Sequence, residues 1–427
     1  MQIRRDAYLR ALTDRMHNGM IKVVTGLRRS GKTYLLFNIF ADWLRSEGVA
    51  DDRIIEVALD TDGAAALRDP AVLGEYLRGR IADKKSQYYV LLDEVQYAIS
   101  ALELRGGEPP RLYGVLNGLL RMGNVDVFVT GSNSKLLSSD VLTEFRGRGD
   151  EVRVRPLSFA EFMQTFDGTP AEGWAEYVVF GGMPLVAGMP TEEQKMRYLE
   201  RLFAETHLAD IVSRNHLSRA RGLEGIVDVL ASCTGSLVSP HRIARTFDSE
   251  LGEKVSANTV LKYIDCLEEA FVIEQSKRFD VRGRRYIASP SKYYFTDVGL
   301  RNARLGFRQI DEGHLMENVL FNELRMRGFI VDTGVVESRS RVDGRERRRQ
   351  LEVDFVCNLG SRRCYIQSAL HADEERIEER EKAPFERIAD SFEKILLVRD
   401  VVRPTRDERG IITMSLYDFL LDPDVLS

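Results

Sequence analysis

Between Val23 and Leu36 the chain reads V-V-T-G-L-R-R-S-G-K-T-Y-L-L, and no other stretch restricts the fold so tightly. Gly26, Gly31, Lys32 and Thr33 obey the spacing G-x-x-x-x-G-K-T of a phosphate-binding loop of Walker A type. The β-branched run from Ile21 to Thr25 predicts a buried strand, and the apolar spacing from Thr33 to Leu44 predicts a helix. A strand that feeds a glycine-rich turn and then a helix aims free N–H groups at one point. The positive end of the helix dipole lies there too, so a polyphosphate is the natural ligand. Its expected lining is Gly26, Leu27, Arg28, Arg29, Ser30, Gly31, Lys32, Thr33 and Tyr34. Glycine at 26 and 31 permits a close backbone approach that a Cβ would forbid. Lys32 is expected on the β- and γ-phosphates, and the Thr33 hydroxyl on Mg²⁺.

A partner motif follows at Tyr88 to Glu94, Y-Y-V-L-L-D-E. An uncharged run ending in two carboxylates fits a buried strand whose carboxyl end meets the ligand, as in open α/β sheets. Asp93 is expected to hold Mg²⁺ through water, and Glu94 to polarise the attacking water. The next strand, Val125 to Thr130, runs into G-S-N-S, where Thr130, Ser132 and Asn133 are candidates to orient that water. Together the two motifs point to a nucleoside triphosphatase. Strands alternating with helices predict an α/β domain with a parallel sheet of P-loop type.

At 427 residues the chain predicts two to four domains. A formal net charge of −5 gives no global case for nucleic-acid binding, so any such surface must be local. Cys233, Cys266, Cys357 and Cys364 lack C-x-x-C spacing, which suits reduced thiols and a cytoplasmic location. The histidines show no metal-ligand pattern, and no long apolar run suggests a membrane span.

Later segments carry a resemblance. G-L-R-R-S-G-K-T, L-L-D-E-V-Q, V-T-G-S-N-S-K-L-L-S, P-L-S-F-A-E-F and, at Tyr177 to Pro184, Y-V-V-F-G-G-M-P resemble one family of prokaryotic ATPases of the AAA+ superfamily. Its ATPase domain precedes a winged helix and a C-terminal restriction-endonuclease-like domain. The resemblance implies ATP as the nucleotide, and an arginine supplied by a neighbour in a homo-oligomer. Arg148 is the candidate for that role, with Arg146 behind it.

The expected domains are 1–160 (ATPase), 161–217 (helical lid or connector), 218–299 (winged helix) and 300–427 (nuclease-like α/β). In the third, helices at Gly222 to Ser232, at Pro240 to Phe247 and from Ser256 precede strands Phe271 to Phe279 and Arg285 to Phe295. Lys277, Arg278, Arg282, Arg284 and Arg285 crowd the wing, a local footprint suited to DNA phosphates. Asn258, Thr259 and Lys262 are expected on the exposed side of the third helix.

In the last domain a helix is expected to start at Glu317, and 341–349 to form an exposed basic loop. The nuclease-like resemblance implies oxygens of Glu317, Asp354 and Gln367 around a metal, with a lysine two residues beyond Gln367. Alanine stands there, at 369, so nuclease activity is not expected. The expected function is Mg-ATP hydrolysis that drives or gates placement of the later domains on DNA or a protein partner. The alternatives are a non-hydrolytic ATP-gated scaffold and an ATP-controlled nuclease.

Overall fold

The computed structural model describes all residues except 1–2, 101, 104–109, 132–148, 215–219, 252–254, 343–344, 372–379, 401–402 and 427. The chain forms two compact units. The first is Met1–Pro156 with Glu269–Phe271, and the second is Leu157–Glu268 with Val272–Ser427.

The first unit is built on five parallel strands: β1 (Ile21–Thr25), β2 (Ile54–Ala58), β3 (Tyr88–Asp93), β4 (Val125–Thr130) and β5 (Gly149–Arg153). Their order is β2-β3-β4-β1-β5, so β4 lies between the two motif-bearing strands. Because every strand runs the same way, the loops leaving β1, β3 and β4 emerge together at one edge. Strands β1, β3 and β4 are buried along their whole length, with Val23, Val90, Leu92, Val127 and Val129 packed on Leu112, Leu116 and Leu119. Lys22 sits mid-strand with no exposure, which its ion pair to Asp126 on β4 makes tolerable. The helix after the loop begins as expected at Lys32–Tyr34, widens to a π-helix over Leu35–Phe40, and resumes as α-helix at Ala41–Ser46.

The second unit opens with helices whose starts the sequence marks clearly. Ser158 with Glu161, and Thr169 with Glu172, form capping boxes for Phe159–Met163 and Pro170–Phe180. Further helices are Glu192–Arg201, Ala220–Ser232, Pro240–Thr246 and Ala257–Glu269. Ser256 accepts from the Thr259 amide at 3.1 Å, as an N-cap should.

An eight-stranded mixed sheet follows. It comprises β6 (Ile273–Asp280), β7 (Arg285–Phe295), β8 (Ile330–Val342), β9 (Arg345–Leu359), β10 (Arg362–Ala369), β11 (Glu393–Val398), β12 (Thr405–Arg406) and β13 (Ile412–Ser415). The order is β12-β13-β11-β10-β9-β8-β6-β7.

Three features differ from the sequence reading. The hairpin β6–β7, expected to close a separate module, joins the last sheet: β6 pairs parallel with β8, Arg278 opposite Thr333. A strand edge can be completed by any strand of suitable pattern, and sequence adjacency does not reveal which one. Residues 341–349 are not a loop; apart from 343–344 their backbone continues the β8–β9 ladder, from Ser340↔Arg347 to Val342↔Arg345. The helix carrying Glu317 spans Glu312–Met326, capped by Asp311, so Glu317 lies inside it rather than at its start. Among the described residues no helix is long and apolar enough to cross a membrane.

Candidate functional site

The phosphate-binding loop leaves β1 at Thr25 and re-enters helix at Lys32. Gly26 holds φ +135°, and a Cβ there would stand 2.0 Å from the carbonyl oxygen of Val154. Gly31 closes the loop at φ +93°, in the left-handed region where a side chain is strained. The loop is anchored from behind by Arg5, which is buried. Its guanidinium donates to the carbonyls of Ser30 at 2.9 Å and Arg155 at 2.8 Å. Lys32 is itself buried and donates to the carbonyls of Gly26 and Leu27, both at 3.0 Å. Its ammonium thus sits within the loop, where a phosphate entering among the N–H groups meets a fixed positive charge.

Asp93 ends β3 almost fully buried and collects hydroxyl donors from two other elements. Thr33 donates to Oδ2 at 2.8 Å, and Thr130, the last residue of β4, donates to Oδ1. Thr130 Oγ1 also accepts from the Glu94 amide at 3.0 Å. Burial pushes the Asp93 carboxyl above its ordinary value, with the two threonine hydroxyls pulling the other way. A buried carboxylate beside a hydroxyl on the first helical turn is a hard-oxygen donor set suited to Mg²⁺. Thr33 and Asp93 are the residues that would hold the ion. Bound there, it would neutralise charge on the phosphates.

Glu94 takes φ +52°, ψ +50°, an uncommon conformation for a non-glycine residue. Its Oε2 accepts from the Gln96 side-chain amide. The Gln96 Oε1 atom is buried without a hydrogen-bond partner among the described residues. Sequence reasoning did not single out Gln96; the only hint was an amide two positions beyond the glutamate. Ser132, Asn133, Arg146 and Arg148 lie outside the described residues.

The second unit brings together the other expected cluster. Glu317, Asp354 and Gln367 are buried and meet around residues that the motif reading missed, Lys292 on β7 and Glu352 on β9. Lys292 Nζ lies 2.6 Å from both Glu317 Oε1 and Glu352 Oε1. Burial pushes the Asp354 carboxyl up to about 7, with Glu317 adding to the rise. Burial would lower the Lys292 ammonium, but Glu317, Asp354 and Glu352 outweigh it and hold the group above its ordinary value.

The five basic residues of the hairpin separate by environment. Arg278 is buried and donates to Gln350 at 2.9 Å, Arg282 donates to the Arg387 carbonyl at 2.9 Å, and Arg285 lies 3.5 Å from Asp280. Lys277, Arg282, Arg284 and Arg285 are all exposed, Arg282 and Arg285 with those partners and only Arg278 buried; Asn258 and Lys262 on the preceding helix are exposed too, while Thr259 is half-buried.

Comparison with known proteins agrees with the first unit. Residues 18–163 match the model of an AAA domain, and residues 171–311 match that of a domain of unknown function. An uncharacterized protein of Haemophilus influenzae is 30% identical over 424 residues, covering 98% of each chain. An uncharacterized protein of Methanocaldococcus jannaschii is 26% identical over 379 residues, 85% of this chain and 77% of that one. Among solved structures, the Walker-type ATPase PABY2304 of Pyrococcus abyssi covers 71% of this chain and 96% of its own at 14% identity and TM-score 0.49. The Orc1 protein of Aeropyrum pernix, solved with DNA, covers 71% and 92% at 16% identity and TM-score 0.28. The full-length match decides the matter: this chain belongs to the family of the Haemophilus influenzae protein, with an AAA domain followed by a domain of unknown function.

Proposed function

We propose that the protein binds and hydrolyses Mg-ATP in its first unit and uses the nucleotide state to control engagement of a DNA or protein partner by its second. The observation that carries the hydrolytic part is the junction of three strand ends. Thr33 follows β1, Asp93 ends β3 and Thr130 ends β4, and all three are joined by hydrogen bonds that also touch Glu94. Lys32 holds charge for the phosphates, Thr33 and Asp93 form the cation's donor set, and Glu94 accepts the proton of the attacking water. Arg148 is assigned in this reading to a neighbouring copy's site, where it would stabilise charge in the transition state. The later parts of the proposal take 161–217 as a helical connector, 218–299 as a winged helix and 300–427 as a nuclease-like domain kept for binding. The exposed Lys277 and Arg284 support contact with a phosphate backbone.

Phosphate release and nucleotide binding, measured on purified protein, test the reading. Lys32→Ala is expected to lose ATP binding, because the ammonium meets phosphate in ground and transition states alike. Glu94→Gln is expected to bind ATP and not turn it over. Tight ATP binding with background phosphate release in the parental protein would make it an ATP-gated scaffold instead.

A further inference from the structure

The nuclease-like resemblance implies a divalent cation among Glu317, Asp354 and Gln367, and the donor set around these residues can be tested for one. It does not fit. Glu317 Oε1 is taken by Lys292 Nζ at 2.6 Å and by the Tyr294 hydroxyl. Asp354 Oδ2 accepts from the Ser368 amide at 2.9 Å and the Ser368 hydroxyl at 2.7 Å. Asp354 Oδ1 accepts from the Gln367 side-chain nitrogen at 3.2 Å, and that nitrogen also reaches Glu381 Oε2 at 2.8 Å.

Gln367 therefore turns its NH₂ group, not its oxygen, towards the carboxylates. Its oxygen is used on the Asp354 backbone amide at 3.1 Å. The opposite orientation would set an oxygen against two carboxylates and a donor against a donor, so the hydrogen bonds fix the amide. Among the described residues no group of three His, Cys, Asp or Glu side chains is placed to hold a metal. Lys292 and Glu352, at the edge of the cluster, line a cavity of about 830 Å³.

We propose that Lys292 is a built-in counter-ion that has taken over the work of a divalent cation, so that the acid cluster of the second unit stands without metal. Carboxylates buried together need compensating positive charge, and an ammonium on the neighbouring hairpin supplies it whatever the ion concentration. Two of its donors are directed at carboxylate oxygens a cation would otherwise collect, and a second positive charge nearby would be repelled. This also explains why β6–β7 joins the sheet: β7 delivers Lys292 and Tyr294 to Glu317. The inference is independent of ATP hydrolysis in the first unit.

Mn²⁺ binding to the nucleotide-free full chain, followed by electron paramagnetic resonance, tests it. All proteins carry Asp93→Asn to silence the first unit's cation site. The otherwise parental chain and Asp354→Asn are expected to give the same isotherm. Lys292→Met, checked for folding by circular dichroism, is expected to bind Mn²⁺ roughly tenfold more tightly or better, as removal of a buried counter-charge demands. That gain should vanish when Asp354→Asn is added. A Mn²⁺ site in the chain with native Lys292 that is lost in Asp354→Asn overturns the proposal, as does a folded Lys292→Met chain that gains none. Should Lys292→Met not fold, the Asp354→Asn comparison alone decides, since a metal held by the native cluster must show there.

Discussion

Thr130→Val is the most informative single change in the first unit, because valine keeps the shape of threonine and deletes only its hydroxyl. That hydroxyl donates to buried Asp93 and accepts from the Glu94 amide at 3.0 Å. Asp93 is already pushed above its ordinary value by burial, so losing a donor raises it further and weakens its hold on a cation. A hydrogen bond to a charged group is worth roughly 1.5–3 kcal/mol. If that support is felt mainly in the transition state, turnover should fall about 10- to 150-fold. Nucleotide affinity should change much less, since Lys32 and the loop amides are untouched. Steady-state phosphate release at saturating Mg-ATP, beside a fluorescent-nucleotide titration, separates the two quantities. Thr130→Ser, which keeps the hydroxyl, is expected to recover most of the rate. Parental turnover in Thr130→Val would refute the argument, as would a loss confined to ATP affinity.

Other predictions follow from the same geometry. Asp354 is raised to about 7 in the fold, so its favourable contribution is complete below its unfolded value and fades as pH rises through about 7. The second unit's unfolding midpoint should therefore drop between about pH 4 and about pH 7, to an extent of roughly 1.4 kcal/mol per pK unit of displacement. In Asp354→Asn the dependence should shrink to what the other carboxyls raised by burial in that unit contribute, namely Asp297, pushed up to about 6, with Glu317, Glu323, Asp332 and Glu381; an unchanged profile rejects the assignment. If the hairpin meets DNA, Lys277→Ala and Arg284→Ala should each lower the slope of log K against log salt by about 0.9 for every phosphate left without its cation. Arg278→Ala should cost stability and leave that slope alone, since Arg278 is buried on Gln350. For Arg148 acting between copies, specific activity should rise with protein concentration, and Arg148→Ala should bind ATP yet stay slow by roughly 10³-fold. Concentration-independent turnover removes that arginine from the site.

The local parts of this protein were legible in its sequence. A Walker A loop works through consecutive backbone amides, so its eight-residue pattern located strand, turn and helix together, and β1 and β4 matched their expected bounds. The helix start at Ser256 was equally readable, because a cap bonds within three residues of itself; the capping boxes at Ser158 and Thr169 carry the same local signal, which the sequence reading passed over. What only the tertiary structure decided depends on which strands lie side by side. The insertion of β4 between β1 and β3 brings Thr130 to Asp93, 37 residues away in sequence. The pairing of β6 with β8 ties the hairpin to the last sheet as well as to Val238 of the helical segment before it, which its sequence position did not suggest. That pairing buries Arg278, which composition alone counted as part of a basic surface. Strand β7 of the same hairpin sets Lys292 on Glu317, giving the acid cluster a cation that no motif in the C-terminal segment contains. Spacing along the chain encodes contacts made within a turn or two, whereas strand order is chosen by the burial of whole faces, and buried charges must find their partners across it.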